Sequence, residues 1–140
     1  VYTMIQKFLP IEMQLTYQVD GEPLEQLPNG YSDHYVPDGF ERDYEQGYDD
    51  AQAFLHVYTD IMTNDFYTVS CAIVQNQNQK ELFDNEHTKY RKVKMGDVEA
   101  LLGEDKNTGY YLIWEDEGIT HTIIGRISIR ELMLVAQKIY

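Results

Sequence analysis

Basic residues are scarce in this chain. Eleven Lys and Arg face 24 Asp and Glu over 140 residues, a formal net charge of -13. Nucleic acids and anionic membranes are bound through cationic surfaces that displace counterions, so neither is an expected partner. Cysteine is scarcer: Cys71 stands alone, which excludes an internal disulfide and any multi-cysteine metal site. Long apolar runs are missing too. A stretch such as Leu132-Met133-Leu134-Val135-Ala136 falls far short of the ~18 residues a spanning helix needs. There is no internal repeat, no visible signal peptide and no Gly-x-Ser-x-Gly nucleophile elbow. The chain opens on Val1, and the expectation is that a processed or anchoring segment precedes it.

What is present is a globular composition. With 43% hydrophobic and 13% aromatic residues, the chain is too apolar for a disordered acidic tail, and its length suits one domain spanning 1–140. Acidity is concentrated at the front. Residues 1–70 carry 13 acids and two bases, Lys7 and Arg42, whereas residues 71–140 carry 11 acids and nine bases. Pro and Gly cluster between Gly21 and Gly47, which reads as a long irregular connection.

The elements follow from periodicity. Thr3-Met4-Ile5-Gln6 fits a capping box and allows a short N-terminal helix ending by Leu9, before Pro10. Met13, Leu15, Tyr17 and Val19 alternate with polar residues, as in a strand buried on one face. Phe54–Thr59 and Phe66–Val74 read as a hairpin around Thr63-Asn64-Asp65. Lys89–Met95 and Val98–Leu102 flank Gly96-Asp97, which suits a type II′ turn, and Tyr110–Trp114 and Ile119–Ile124 form a further hairpin. Short loops demand antiparallel pairing. At the C-terminus Ser128 and Glu131 make a capping box, and Leu132, Val135, Ala136 and Ile139 form an apolar stripe. The expected fold is α+β: a mainly antiparallel sheet of about six strands with the C-terminal helix packed on one face.

Few constellations carry chemistry. The acids from Asp33 to Asp50 are hard oxygen ligands, but their spacing does not match a calcium loop. His34, His56, His87 and His121 share no ligand spacing, and a hydrogen-bonded structural histidine is the ordinary reading for the two in strands. Ser32-Asp33-His34 holds triad residue types, yet sequence neighbours do not adopt relayed geometry. Cys71 alternates with Val69 and Ile73, so its thiol is expected buried and unreactive. No catalytic residue, metal ligand or cofactor site is therefore expected. Tyr31, Tyr35, Tyr44 and Tyr48 interleave with acids including Asp43 and Asp49, which makes these six a candidate recognition surface; covering the sheet from a long loop is the alternative. Lys89, Arg91, Lys92 and Lys94 either balance the acidic loop or protect an edge strand.

Residues Tyr35–Tyr140 resemble a bacterial family known as domain of unknown function 4367. Tyr35-Val36-Pro37-Asp38-Gly39-Phe40 is similar to its opening pattern, and Asp84-Asn85-Glu86 to its acidic turn. Leu112-Ile113-Trp114, Ile123-Ile124-Gly125 and Ser128–Ile139 are similar to its close, with Arg130 in place of an acid and Glu131 kept. Residues 1–34 then read as an N-terminal extension with one strand. The resemblance implies an extracytoplasmic part of a Firmicutes membrane protein or lipoprotein, in some cases anti-sigma-factor-like, with no catalytic residues to carry over. Pro37, Gly39, Trp114, Gly125, Ser128 and Glu131 are expected to specify the fold: Pro37 and Gly39 a turn, Trp114 a core contact, Gly125 a strand end with positive φ. The functional expectation is a non-catalytic sensory or interaction domain for a peptide, cell-wall component or protein partner, attached to the membrane only through an upstream segment. The alternatives are a carrier or chaperone-like module with an apolar pocket and, behind it, a secreted hydrolase.

Overall fold

The structure, a computed structural model, describes residues 2–8, 12–19, 21–75, 78–84 and 86–140. Among the described residues eleven strands and one helix follow in chain order: β1 (Tyr2–Phe8), β2 (Glu12–Val19), β3 (Phe40–Arg42), β4 (Tyr48–Asp49), β5 (Ala53–Asp60), β6 (Phe66–Ile73), β7 (Asn78–Asp84), β8 (Thr88–Met95), β9 (Val98–Asp105), β10 (Gly109–Asp116), β11 (Ile119–Gly125) and α1 (Ile129–Gln137). They form an eight-stranded sheet in the order β3-β5-β6-β11-β10-β9-β8, with β4 also on β5, and a three-stranded sheet β1-β2-β7. Every pairing is antiparallel.

The architecture is α+β with a C-terminal helix, but it holds more strands than the roughly six expected. β3 and β4 are too short to show a period, and β7 starts in a polar Gln/Asn stretch. The expected N-terminal helix is a strand: Tyr2–Phe8 pairs along its whole length with Met13–Val19. A capping-box match without an apolar helical stripe loses to a partner strand that bonds the inward-facing backbone groups along the whole of β1. The extension before residue 35 therefore holds two strands, not one. Leu9, Pro10 and Asn85 lie outside the described residues.

Period-2 alternation in the large sheet feeds two cores. On one face Tyr67, Val69, Cys71, Ile73, Leu102, Leu112 and Ile123 pack with Leu132 and Val135 of α1. On the other, Leu101 and Ile113 meet Met13, Leu15 and Tyr17 of the small sheet. Each such side chain contributes about 1.5–3 kcal/mol on burial. The Gly96-Asp97 turn joins Met95 to Val98 with φ 62° at Gly96 only, as a type II′ turn requires.

Two of the motif glycines have definite reasons. Phe40 N donates to Pro37 O at 3.1 Å, and Gly39 sits at φ 91° in the third position of that turn, the type II arrangement. Gly125 ends β11 with φ 159°, near the extended limit, and the demand there is for space. A Cβ would lie 2.3 Å from Tyr67 Cβ.

Ser128 caps α1, its Oγ accepting from Glu131 N at 3.1 Å. The Glu131 carboxylate accepts from the Tyr35 hydroxyl at 2.6 Å, tying the helix start to the long loop. Leu132→Ala should cost roughly 2–5 kcal/mol and Ser128→Ala about 1 kcal/mol in urea unfolding followed by Trp114 fluorescence. The reverse order would mean that the cap, not packing, holds the helix.

Candidate functional site

The long loop is fastened to the C-terminal tail. Ser32 and Tyr140 exchange two backbone bonds of 3.0 Å, His34 N donates to Lys138 O at 2.8 Å, and the His34 ring stacks on Tyr140. This short ladder, centred on the Asp33–Ile139 bridge, aims Tyr31 and Asp33 inward on either side of the sheet's helix face.

Asp33 enters a polar cluster. His56 on β5 is buried, with Nδ1 2.7 Å from Asp33 Oδ1 and Nε2 2.6 Å from Asp49 Oδ1. Both ring nitrogens face carboxylate oxygens, so each must donate, and the ring is an imidazolium. Tyr58 donates to the other Asp33 oxygen, and Arg42 donates to Asp49 at 2.9 Å. Burial pushes His56 down, but its hydrogen bonds to Asp33 and Asp49 outweigh this and raise it. Burial likewise pushes both carboxyls up, while the bonds from His56 outweigh it and hold both below the usual range. The cluster joins the long loop, β4 and β5 by hydrogen bonds; the Ser32 hydroxyl also donates to Asp33 Oδ1 at 3.3 Å, and the buried Arg42 Nε has no hydrogen-bond partner among the described residues. Burial, with Asp33 nearby, raises the Cys71 thiol well above its ordinary value.

Tyr31 enters a cleft of ≈ 320 Å³ between the end of α1, the β8–β9 turn and the β10–β11 hairpin. Its hydroxyl lies 2.6 Å from His121 Nε2, and His121 stacks flat on its cross-strand partner Trp114 at 4.5 Å. Burial pushes His121 down to about 4, against the pull of the Trp114 and Ile119 backbones, so the ring is neutral at pH 7. Tyr31 and Nε2 share one hydrogen bond whose direction follows the tautomer, and Nδ1 has no hydrogen-bond partner among the described residues. Tyr31 is itself raised by burial, then by Cys71, Asp116 and Glu117, which places two acids in electrostatic reach of the cleft.

The six recognition candidates separate. Tyr31 and Tyr35 are partly buried against the core. Tyr44 is 80% and Tyr48 52% exposed on the flap between β3 and β5, with Arg42 stacked 4.5 Å over the Tyr44 ring. Asp43 closes a turn by accepting from Glu45 N and Gln46 Nε2, and Asp49 belongs to the His56 cluster. Tyr31 and Asp49 both line a second cleft of ≈ 290 Å³ between residues 26–31 and 49–54. Trp114 is a core contact, as expected, and also lines the first cleft. His56 and His121 are hydrogen-bonded strand histidines, as their alternation suggests, but their partners lie in loops that no pattern connects to them.

The basic run occupies β8, an edge of the large sheet, and the acidic flap lies at the opposite edge. Lys89 and Arg91 therefore do not balance the acidic loop; Lys92 meets Glu99 at 3.7 Å on the neighbouring strand. Burial raises the carboxyls of Glu81 and Glu115, both close to Tyr17, and neither lines the clefts described above. Among the described residues no group of three or more His, Cys, Asp and Glu is placed to hold a metal ion, and no helix is long and apolar enough to cross a membrane.

This arrangement defines a class of domain: a large antiparallel sheet with a helix on one face and a short sheet on the other. The family model described as "Domain of unknown function (DUF4367)" matches residues 30–139, and the chain belongs to that family. The match takes in Tyr31 and Asp33 and leaves β1 and β2 outside it. Comparison with curated proteins and with solved structures gives no match.

The His56 cluster sets a pH signature. His56 is raised above 6.5, so its contribution is complete below pH 6.5 and is lost as pH climbs through its folded value. Asp33 and Asp49 are lowered below 3.8, so theirs is complete above pH 3.8 and is lost as pH falls through their folded values. His121 runs the other way: lowered to about 4, it makes stability fall as pH drops below 6.5. The stability difference between wild type and His56→Gln should thus be largest between pH 3.8 and 6.5, at roughly 3–5 kcal/mol, and shrink on either side. A difference flat with pH in chemical denaturation would show that His56 is not charged in the fold.

Proposed function

We propose that this domain is a non-catalytic recognition module working outside the cytoplasm, attached to the membrane by a segment that precedes it, and that it engages a peptide, cell-wall component or protein partner in the Tyr31–Trp114–His121 cleft. The observation that carries this reading is the pairing of a cleft of ≈ 320 Å³ with a buried neutral histidine, a tyrosine hydroxyl and the chain's only tryptophan. Sites that recognise small groups combine an aromatic wall with a few fixed polar atoms in this way. The polar atoms are held in place: Tyr31 by its bond to His121, and His121 by its stack on Trp114. Fixed groups lose little entropy on binding. The interior beneath is filled by Leu112, Ile123, Leu132 and Val135, each fully buried, which supports recognition at the surface over enclosure of an apolar cargo. The extracytoplasmic, anti-sigma-factor-like setting rests on the family resemblance.

Two measurements test it. Titrating the domain with a panel of soluble muropeptides and short peptides should give saturable changes in Trp114 emission for at least one class, and Tyr31→Ala should weaken them by roughly tenfold. In cells carrying the full-length gene, a tag placed after Tyr140 should react with membrane-impermeant reagents. A panel without effect on Trp114 defeats the recognition reading, and a tag protected until lysis defeats the location.

A further inference from the structure

We infer that the cleft receives the cationic side chain of a basic peptide, its ammonium or guanidinium held between Asp116 and the carbonyl end of α1. This rests on the recognition reading and narrows its ligand. Three features of the cleft agree in sign. Asp116 lines it, and Glu117 follows in the same hairpin turn. Ala136 and Gln137, the last residues of α1, also line it, so the negative end of the helix dipole points there. Among the described residues no Lys or Arg lines it, and His121 adds no charge because its ring is neutral. Lys94 and Lys138, the bases next in sequence to lining residues, are exposed and outside the lining.

The walls suit the rest of such a side chain. Met95, Val98 and Ile139 offer apolar surface for a methylene stem, and Trp114 and Tyr31 complete the wall. The Gln137 side chain adds a carbonyl acceptor on the same rim. A carboxylate or phosphate ligand meets the opposite situation: acids, carbonyl ends and no donor of positive charge.

The test uses four probes on the intact domain: the Nα-acetyl amides of arginine, lysine, norleucine and glutamate. Trp114 emission and amide NMR shifts of residues 95–98, 114–121 and 136–139 report occupancy. The expected result is saturable binding of the lysine or arginine amide, at least roughly tenfold tighter than norleucine amide, with none from glutamate amide. Asp116→Asn, at the exposed end of β10, should weaken the cation by roughly tenfold, leave norleucine amide unchanged and leave the thermal melt in place. Equal binding of norleucine and lysine amides overturns the cationic assignment but leaves recognition standing. Glutamate amide binding best, or an unchanged lysine affinity in Asp116→Asn, overturns it as well. If none of the four binds while a muropeptide still moves Trp114, the assignment fails and the recognition reading survives.

Discussion

The pairing of β6 with β11 holds the large sheet together. Seven registered positions, Ile73–Tyr67 against Ile119–Gly125, join a hairpin from the acidic half of the chain to one from the near-neutral half. Backbone groups in the middle of a sheet have no water to turn to, so this ladder must be complete. Its closest point is Gly125 against Tyr67, where no side chain larger than hydrogen fits. Tyr67 is thereby fixed in the core, stacked on Tyr58 at 4.7 Å and edge-on to Phe40. Tyr58 in turn donates to Asp33, so the position of the polar cluster is set from the sheet outward.

Charge is organised around that frame rather than spread over it. The acidic, Tyr-rich front segment lies along the β3/β4 edge and over the helix face, and the bases Lys89, Arg91, Lys92 and Lys94 lie along the β8 edge. The edges carry opposite sign, which discourages like edges from pairing and keeps both exposed ladders soluble. Within the acidic side, one imidazolium at His56 serves two carboxylates, which permits Asp33 to be buried at all.

The sequence revealed those parts of the fold that repeat along the chain. β2 and β6 are visible because buried and polar residues alternate along them, β5 and the hairpins from β8 to β11 because apolar runs flank short turns, and α1 because a cap precedes a four-residue apolar stripe. β1 was legible only through its partner, since Thr3 and Gln6 imitate a helix start and nothing local rules it out. β3 and β4 have too few residues to show a period. The candidate site divides in the same way. Tyr31 and Trp114 stood out by type and by motif. His121 could be placed on the sheet's inner face by alternation with Ile119 and Ile123, yet its bond to Tyr31 spans 90 residues of sequence and leaves no local trace. Asp33 appeared beside Ser32, whose hydroxyl does donate to it, and His34, which does not; its histidine partner is His56, 23 residues further on.

The route of the chain between the sheets has a temporal consequence. After β6, in the middle of the large sheet, the chain leaves to lay β7 against β2 and re-enters at the far edge as β8. The hairpins β8–β9 and β10–β11 close over two-residue turns and β9–β10 over three, so they need little loop entropy and can form first. The small sheet must bring residues 12–18 to residues 78–84, a closure that only becomes inexpensive once β5, β6 and β11 already hold the intervening chain. Assembly thus runs from the C-terminal meander inward, and β1 and β2, the first strands in the chain, are among the last to find their place.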